Sequence, residues 1–307
     1  MVEKQDKCRK ANVLPALLLK GGPMNEPERA RPGIMNEQQR ARLESIKRTW
    51  QQKRAITESL GKIKNKIAVY SGKGGVGKTT IAVGIAVTLA RQGFKVGIFD
   101  ADIDCPNVTK LMGLTNRPEV KDNRFYPPEK HGVKVISMAF FQEREDEAII
   151  WRGPMVHNAI NQFLQMTEWG ELDYLIVDLP PGTSDAPLTI MQTLPLDGFI
   201  IVTTPQALAK MDALRSLNMV RKMNLKVIGV VENFSGDVFG YGAGEDLAME
   251  AAVHFLGRLE MRKDYRQRED EPAPVHSSAV RREFEALLAR ALPTLETLKQ
   301  GAAPKAP

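Results

Sequence analysis

Ten consecutive residues, Ser71-Gly72-Lys73-Gly74-Gly75-Val76-Gly77-Lys78-Thr79-Thr80, set two lysines among four glycines and end on two threonines. Gly72 to Thr79 satisfies G-x-x-x-x-G-K-[ST], a spacing whose chemistry is the grip of a phosphate chain. Glycines at 72, 74, 75 and 77 let the backbone curl so that successive N–H groups, that of Val76 included, point at phosphate oxygens. A helix opening at Lys78 adds the positive end of its dipole. Lys78 would reach the β and γ phosphates, the Thr79 hydroxyl would ligate Mg²⁺, and Thr80 closes the cradle.

Three carboxylates extend this chemistry from binding to hydrolysis. Asp100 and Asp102 follow a strand expected at Lys95 to Phe99, and Asp178 follows one expected at Asp173 to Val177. Ligands in open α/β sheets bind at that carboxyl edge. Asp178 fits the group that orients Mg²⁺ or its waters. The stiff turn behind it, Leu179-Pro180-Pro181-Gly182-Thr183, suits a switch that senses a γ-phosphate. Asp100 alone reads as a helix or turn cap. The set describes in-line attack of water on a γ-phosphate, with Mg²⁺, Lys78 and the loop amides stabilising the developing charge and no covalent nucleophile. His131, His157, His254 and His276 show no H-x-x-x-H or H-E-x-x-H spacing, so no catalytic metal besides Mg²⁺ is expected.

Positioning these groups requires strands that end where they stand. Short β-branched runs at Ile67 to Ser71, Val96 to Phe99, Val133 to Met138, Tyr174 to Val177, Phe199 to Thr203 and Val227 to Val231 alternate with helical stretches. The helices are expected at Lys78 to Gln92, Met155 to Met166, Ala207 to Met223, Glu245 to Phe255 and Ala279 to Ala291. Strands apolar throughout, alternating with helices, imply an α/β fold of the P-loop NTPase kind: a mostly parallel sheet with helices on both faces.

Four regions follow. Residues 1–34, with Gly21-Gly22-Pro23, Pro27 and Pro32 and no sustained period, read as a disordered tail, and Met24 or Met35 would start a shorter product. Residues 35–65 read as a basic amphipathic helix carrying Leu43, Ile46, Trp50, Ile56, Leu60 and Ile63 on one face. Residues 66–298 form the ATPase domain, and 299–307 a second disordered tail. The last helix, with Phe284, Leu287, Leu288 and Leu292, is expected to stop at Pro293 and lacks a basic face near its end, which counts against a membrane anchor.

At 43% apolar and 26% charged, the 307 residues suit one large soluble core. No apolar run approaches the roughly 18 residues of a membrane span, and the N-terminus lacks a signal peptide's order, so a cytoplasmic protein is expected. The net charge of +6 is local: residues 1–65 carry 15 Lys/Arg against 7 Asp/Glu, the remainder 28 against 30. Nucleic acid or anionic lipid would therefore be met by the N-terminal arm, not by the ATPase domain. Cys8 and Cys105, far apart, form neither a C-x-x-C pair nor a disulfide framework.

Lys73 narrows the class. K-G-G-x-G-K-[ST] is similar to the deviant Walker A ATPases that include MinD, ParA and the nitrogenase iron protein. That resemblance implies that Lys73 reaches across a two-fold homodimer to the partner's phosphates, and that Asp102, the second aspartate of D-x-D, positions the attacking water. Within this class, Trp169 to Asp185 resembles the signature of the Mrp, or ApbC-like, ATP-dependent iron–sulfur cluster carriers. Trp151-Arg152-Gly153-Pro154-Met155, Thr203-Thr204-Pro205-Gln206 with Met211-Asp212, and Val231-Glu232-Asn233-Phe234-Ser235 resemble further stretches of that family, covering about residues 62 to 275. The resemblance implies that Asn233 contacts adenine, that iron–sulfur client or scaffold proteins are partners, and that two subunits bridge one 4Fe-4S cluster through a C-x-x-C loop. The chain departs there: only Gly236-Asp237-Val238 separate Ser235 from Phe239, and the cysteines are missing. Cys105, one thiol per subunit, and Cys8 are the remaining candidate cluster ligands. The alternative is a MinD- or ParA-like positioning or regulatory switch ATPase that holds an anionic surface through the basic arm.

Overall fold

The computed structural model describes residues 36–141, 153–267 and 271–301. The chain divides into two units, Met1–Ile46 and Lys47–Pro307. In the first, the described residues are Asn36 and the opening of helix α1 (Glu37–Leu60), with Leu43 and Ile46 exposed.

The second unit is built from β1 (Ile63–Ser71), α2 (Lys78–Arg91), β2 (Val96–Asp100), α3 (Val108–Leu111), β3 (Glu119–Lys121), β4 (Arg124–Tyr126), β5 (Glu129–Lys130) and β6 (Val133–Ser137). It continues with α4 (Gly153–Met166), β7 (Leu172–Asp178), α5 (Asp185–Thr193), β8 (Gly198–Thr203), α6 (Ala207–Lys222) and β9 (Val227–Ser235). After α7 (Ala243–Glu250) and β10 (His254–Glu260) come α8 (Asp264–Gln267), α9 (Ala273–His276) and α10 (Ser278–Lys299). The main sheet runs β10-β9-β8-β1-β7-β2-β6-β5, and every neighbouring pair is parallel except β5 with β6.

Two apolar layers flank this sheet. Ile81, Ile85 and Leu89 of α2 pack with Phe284, Leu288 and Leu295 of α10 on one face; Phe163, Trp169, Leu217 and Leu247 lie on the other. Strands covered on both sides must be apolar at every position, and β2 and β8 are buried throughout. β1 lies between β7 and β8, and β2 follows on the far side of β7 with Asp100 in register with Asp178. Ser71, Asp100 and Asp178 thus reach the same carboxyl edge because their strands are neighbours.

Several boundaries differ from those read in the sequence. Ile63 opens β1 instead of closing the N-terminal helix, which ends at Leu60 before Gly61. The helix expected at Glu245 to Phe255 stops at Glu250, Ala252 takes a positive φ of 47°, and Phe255 lies in edge strand β10. The final helix passes through Pro293 to Lys299. An internal proline costs about 3 kcal/mol, but Leu295 and Leu298 extend the buried face beyond it. The hairpin β3–β4, turned by Asp122 and Asn123 at φ 48° and 60°, was not expected. Among the described residues, no helix is long and apolar enough to cross a membrane. Cys8, Trp151 and Arg152 lie outside the described residues, as do the expected tails apart from 299–301, where Lys299 still belongs to α10 and Gln300 caps it, so the tail expected from 299 starts later.

Candidate functional site

The glycine-rich run leaves β1 at Ser71 and enters α2 at Lys78. Ser71 Oγ–H donates to the Lys73 carbonyl at 3.0 Å and starts the curl. Gly74 and Gly75 are exposed, Gly72, Lys73, Gly77, Thr79 and Thr80 half-buried, and Val76 and Lys78 buried. Two glycines are fixed by their neighbours. A Cβ on Gly72 would lie 2.1 Å from the Asp212 carbonyl oxygen of α6, and one on Gly77, whose φ is +79°, would lie 2.2 Å from Asn233 Nδ2. Asn233, at the end of β9 and 2% exposed, donates through that Nδ2 to the Val76 carbonyl at 2.9 Å. Replacing Gly77 with alanine is therefore expected to break the Asn233–Val76 bond and strain a left-handed backbone, costing about 2 kcal/mol of stability. Nucleotide affinity should drop at least about tenfold in the same variant. Calorimetric titration with ADP checks this; parental affinity would contradict it.

At the base of the loop the Lys78 ammonium, 6% exposed, sits 2.6 Å from Asp178 Oδ1 and 3.5 Å from Asp102 Oδ2. Burial alone would lower its pKa, but the Asp178 and Asp102 charges outweigh burial and raise it, so the lysine stays charged. Lys73 differs: it is half-buried and, among the described residues, its ammonium has no ion-pair partner.

Asp178 is fully buried, and its Oδ2 has no hydrogen-bond partner among the described residues. Leaving such an oxygen unpaired costs roughly 1–3 kcal/mol, and an arriving cation relieves that cost. Thr79 stands one residue after Lys78. Mg²⁺ is commonly held through one or two protein oxygens, with water and phosphate completing its octahedron. One orphaned carboxylate oxygen and one hydroxyl fit that ion. The turn after Asp178 is tied back to β1, with Leu179 N–H donating to Val69 at 3.1 Å and Gly182 N–H to Ser71 at 3.0 Å.

Asp102 is 5% exposed; burial pushes its carboxyl up, and Lys78 opposes this. Asp100, fully buried, accepts from Ser137 Oγ, Val108 N and Asp102 N at 2.8, 3.1 and 3.2 Å. Burial and the Asp178 charge push its carboxyl up to about 8 against those bonds. The cap read in the sequence is present at the Val108 end, although a second strand and a loop also converge on it.

Beside α2 opens a cavity of about 500 Å³ lined by Thr79, Thr80, Asn233, Phe234, Tyr265 and Pro272. Its apolar walls and the Asn233 amide suit a flat heteroaromatic ring. Phe234, Tyr265 and Pro272 escaped the sequence reading. Phe234 adjoins Asn233 and was within reach of it, but nothing local marks the other two. Glu232 was missed too: fully buried, it accepts from Ser235 Oγ at 2.8 Å and from Gly242 N and Gly244 N at 3.0 and 2.7 Å, tying the start of α7 to β9.

Where a C-x-x-C loop was looked for, the chain makes a tight turn: Gly236 and Gly240 exchange backbone bonds of 3.1 and 2.7 Å, with Val238 exposed at the tip. Cys105 is an exposed free thiol on the segment after Asp102, and among the described residues no group of three His, Cys, Asp or Glu side chains is arranged to hold a metal.

Comparison with known proteins gives a consistent picture. The family model for ParA, described as the NUBPL iron-transfer P-loop NTPase, matches residues 62–294. The chain is 44% identical over 238 residues to the iron-sulfur cluster carrier protein of Methanocaldococcus jannaschii, covering 73% of this chain and 82% of that one. Among solved structures it is similar to a nucleotide-binding protein of Archaeoglobus fulgidus in complex with ADP, at 37% identity and a TM-score of 0.63, covering 71% of this chain and 90% of that one. The Pyrococcus furiosus cell division ATPase MinD shares the fold at 20% identity and a TM-score of 0.58, covering 75% and 98% of the two chains.

Proposed function

The chain belongs to the ParA family of NUBPL iron-transfer P-loop NTPases, and from that premise we propose that it binds and hydrolyses ATP with Mg²⁺ to drive iron–sulfur cluster carriage or assembly. One observation carries the hydrolytic reading: a buried lysine at the base of a phosphate loop, pinned between two aspartates that end or follow adjacent strands. Magnesium, when bound with ATP, supplies charge neutralisation at the phosphates. The chain's own groups do the rest. Amides of Gly72 to Thr80 cradle the phosphates, and Lys78 leaves its aspartates to meet the β and γ oxygens. Asp178 and Thr79 hold the metal, and Asp102 positions the water and accepts its proton in step with the attack.

In this reading Asn233 presents its amide oxygen to the adenine, since its nitrogen is engaged by Val76. Lys73, with no ion-pair partner among the described residues of its own chain, meets the phosphates of a second copy, so that nucleotide and homodimer form together. The protein works in the cytoplasm. Its ATPase domain is the chain after the basic N-terminal helix, through the end of α10.

The iron–sulfur cluster is cargo. The M. jannaschii relative carries the name of a cluster carrier. Here the turn at 236–240 offers no thiol, so the cluster stays on a client or scaffold partner while this chain supplies the nucleotide cycle. Anaerobic reconstitution with iron and sulfide, read by visible absorption and iron counting, tests this on the parent and on Cys105→Ala. The expected result is no stable cluster in either. A cluster held by the parent and lost in Cys105→Ala would replace the partner reading with direct carriage on a relocated ligand.

A further inference from the structure

We infer that Asp100 is a positioning residue for hydrolysis: its buried carboxylate fastens both ends of the segment from Asp102 to Val108 and so holds Asp102 against Lys78. The inference rests on the reading of Asp102 as the group that positions water.

Asp100 ends β2 with no solvent exposure. Its Oδ1 accepts the Asp102 N–H at 3.2 Å, at the start of the segment, and its Oδ2 accepts the Val108 N–H at 3.1 Å, at the end. Ser137, which ends the neighbouring strand β6 and is itself fully buried, donates its Oγ–H to the same Oδ2 at 2.8 Å and receives the Ala139 N–H at 3.1 Å. Between the two fastened amides Ile103 is buried in the core, and beyond it Asp104, Cys105 and Asn107 are exposed. The segment's internal ties are few, Cys105 N–H to Asp102 Oδ1 at 3.3 Å and Asn107 Nδ2 to the Cys105 carbonyl at 2.9 Å. Ile103 anchors the segment in the core, and its two ends are gripped by one side chain, that of Asp100.

The residue type matters. Three donors, from the two ends of one segment and from a neighbouring strand, converge on two oxygens. Both carboxyl oxygens of Asp100 accept, whereas an asparagine offers one acceptor oxygen and turns an NH₂ toward the remaining donors. Losing the grip leaves amides of the segment unsatisfied and loosens Asp102, because the buried Ile103 beside it does not orient a carboxylate and the 3.5 Å contact with Lys78 is too long to do so. Misplacing a catalytic group by about 1 Å can cost on the order of 100-fold in rate; of the segment, Asn107 lines the cavity beside Asn233, while Asp100, Asp102, Val108 and Ser137 do not.

The test uses the full chain as Asp100→Asn, Ser137→Ala and Asp102→Ala, reading kcat and KM for ATP, ADP affinity by calorimetry, and hydrogen exchange of the amides from 102 to 108. Asp100→Asn is expected to lower kcat about 10- to 100-fold, to leave ADP affinity within about twofold, and to speed exchange at Asp102 and Val108; Ser137→Ala moves the same quantities less. Parental kcat and exchange in Asp100→Asn would overturn the inference. So would a fall of kcat together with ADP affinity, which marks damage to the whole site. Should Asp100→Asn fail to fold, Ser137→Ala decides: unchanged exchange and kcat overturn the inference, and faster exchange with a lower kcat supports it. Parental turnover by Asp102→Ala would overturn the hydrolytic reading instead, and exchange would still report separately on the grip of Asp100.

Discussion

Changing Lys78 to methionine is expected to abolish phosphate release and to destabilise the nucleotide-free protein by about 3–5 kcal/mol, because it strands buried carboxylates. The ammonium lies 2.6 Å from Asp178 and 3.5 Å from Asp102, both of which are almost wholly out of water. Asp100, in register with Asp178, adds a third buried acid, its carboxyl pushed up to about 8 by burial and the Asp178 charge. Without the lysine these groups take up protons in the folded state that the unfolded chain does not bind. Stability must then fall as pH rises, so the loss measured by urea unfolding should be smaller at pH 5 than at pH 8. Adding Asp178→Asn to Lys78→Met removes one stranded charge. The double variant should recover about 2 kcal/mol and no hydrolysis. An equal loss at both pH values, with no recovery in the double variant, would show that the lysine is not the counter-ion of this cluster.

Asp102→Ala is expected to lower kcat by about 10²–10⁴ and leave ADP affinity near the parent's. Asp102 lies outside the run that grips phosphate and makes one side-chain contact with it, the 3.5 Å approach to Lys78. Losing that contact trims the electrostatics of Lys78 only slightly, because Asp178 at 2.6 Å remains. Phosphate release under saturating ATP, compared with ADP titration of the same samples, separates turnover from binding. A loss shared equally by both would move Asp102 from the chemical step to the binding site.

The phosphate loop and the strand-helix alternation were legible because both are local patterns: glycine spacing in one case, short β-branched runs in the other. Neighbouring strands then bring Lys78, Asp102 and Asp178 together, as geometry requires of acids placed at carboxyl edges. β10 was not legible, since Gly257 at φ +140° and the charged Arg258 and Glu260 break its apolar pattern at a sheet edge where outward side chains need not be apolar. Pro293 misled in the other direction: its local signal ends a helix, and the tertiary burial of Leu295 and Leu298 carries the helix on. The cavity walls at Tyr265 and Pro272 come from chain more than thirty residues beyond Asn233, so only folding places them opposite it. Asp100 read as a helix or turn cap because its bonds to the Asp102 and Val108 amides are local; the third, from Ser137 on a neighbouring strand, joins segments that sequence spacing does not relate.

Phosphate release from ATP by the purified parent, with Mg²⁺ and again in excess chelator, tests the nucleotide cycle most directly. Slow turnover that requires Mg²⁺ and disappears in Asp102→Ala is the predicted result. Tight ADP binding with no phosphate released above the protein-free blank would leave a nucleotide-binding regulator and contradict the hydrolytic account.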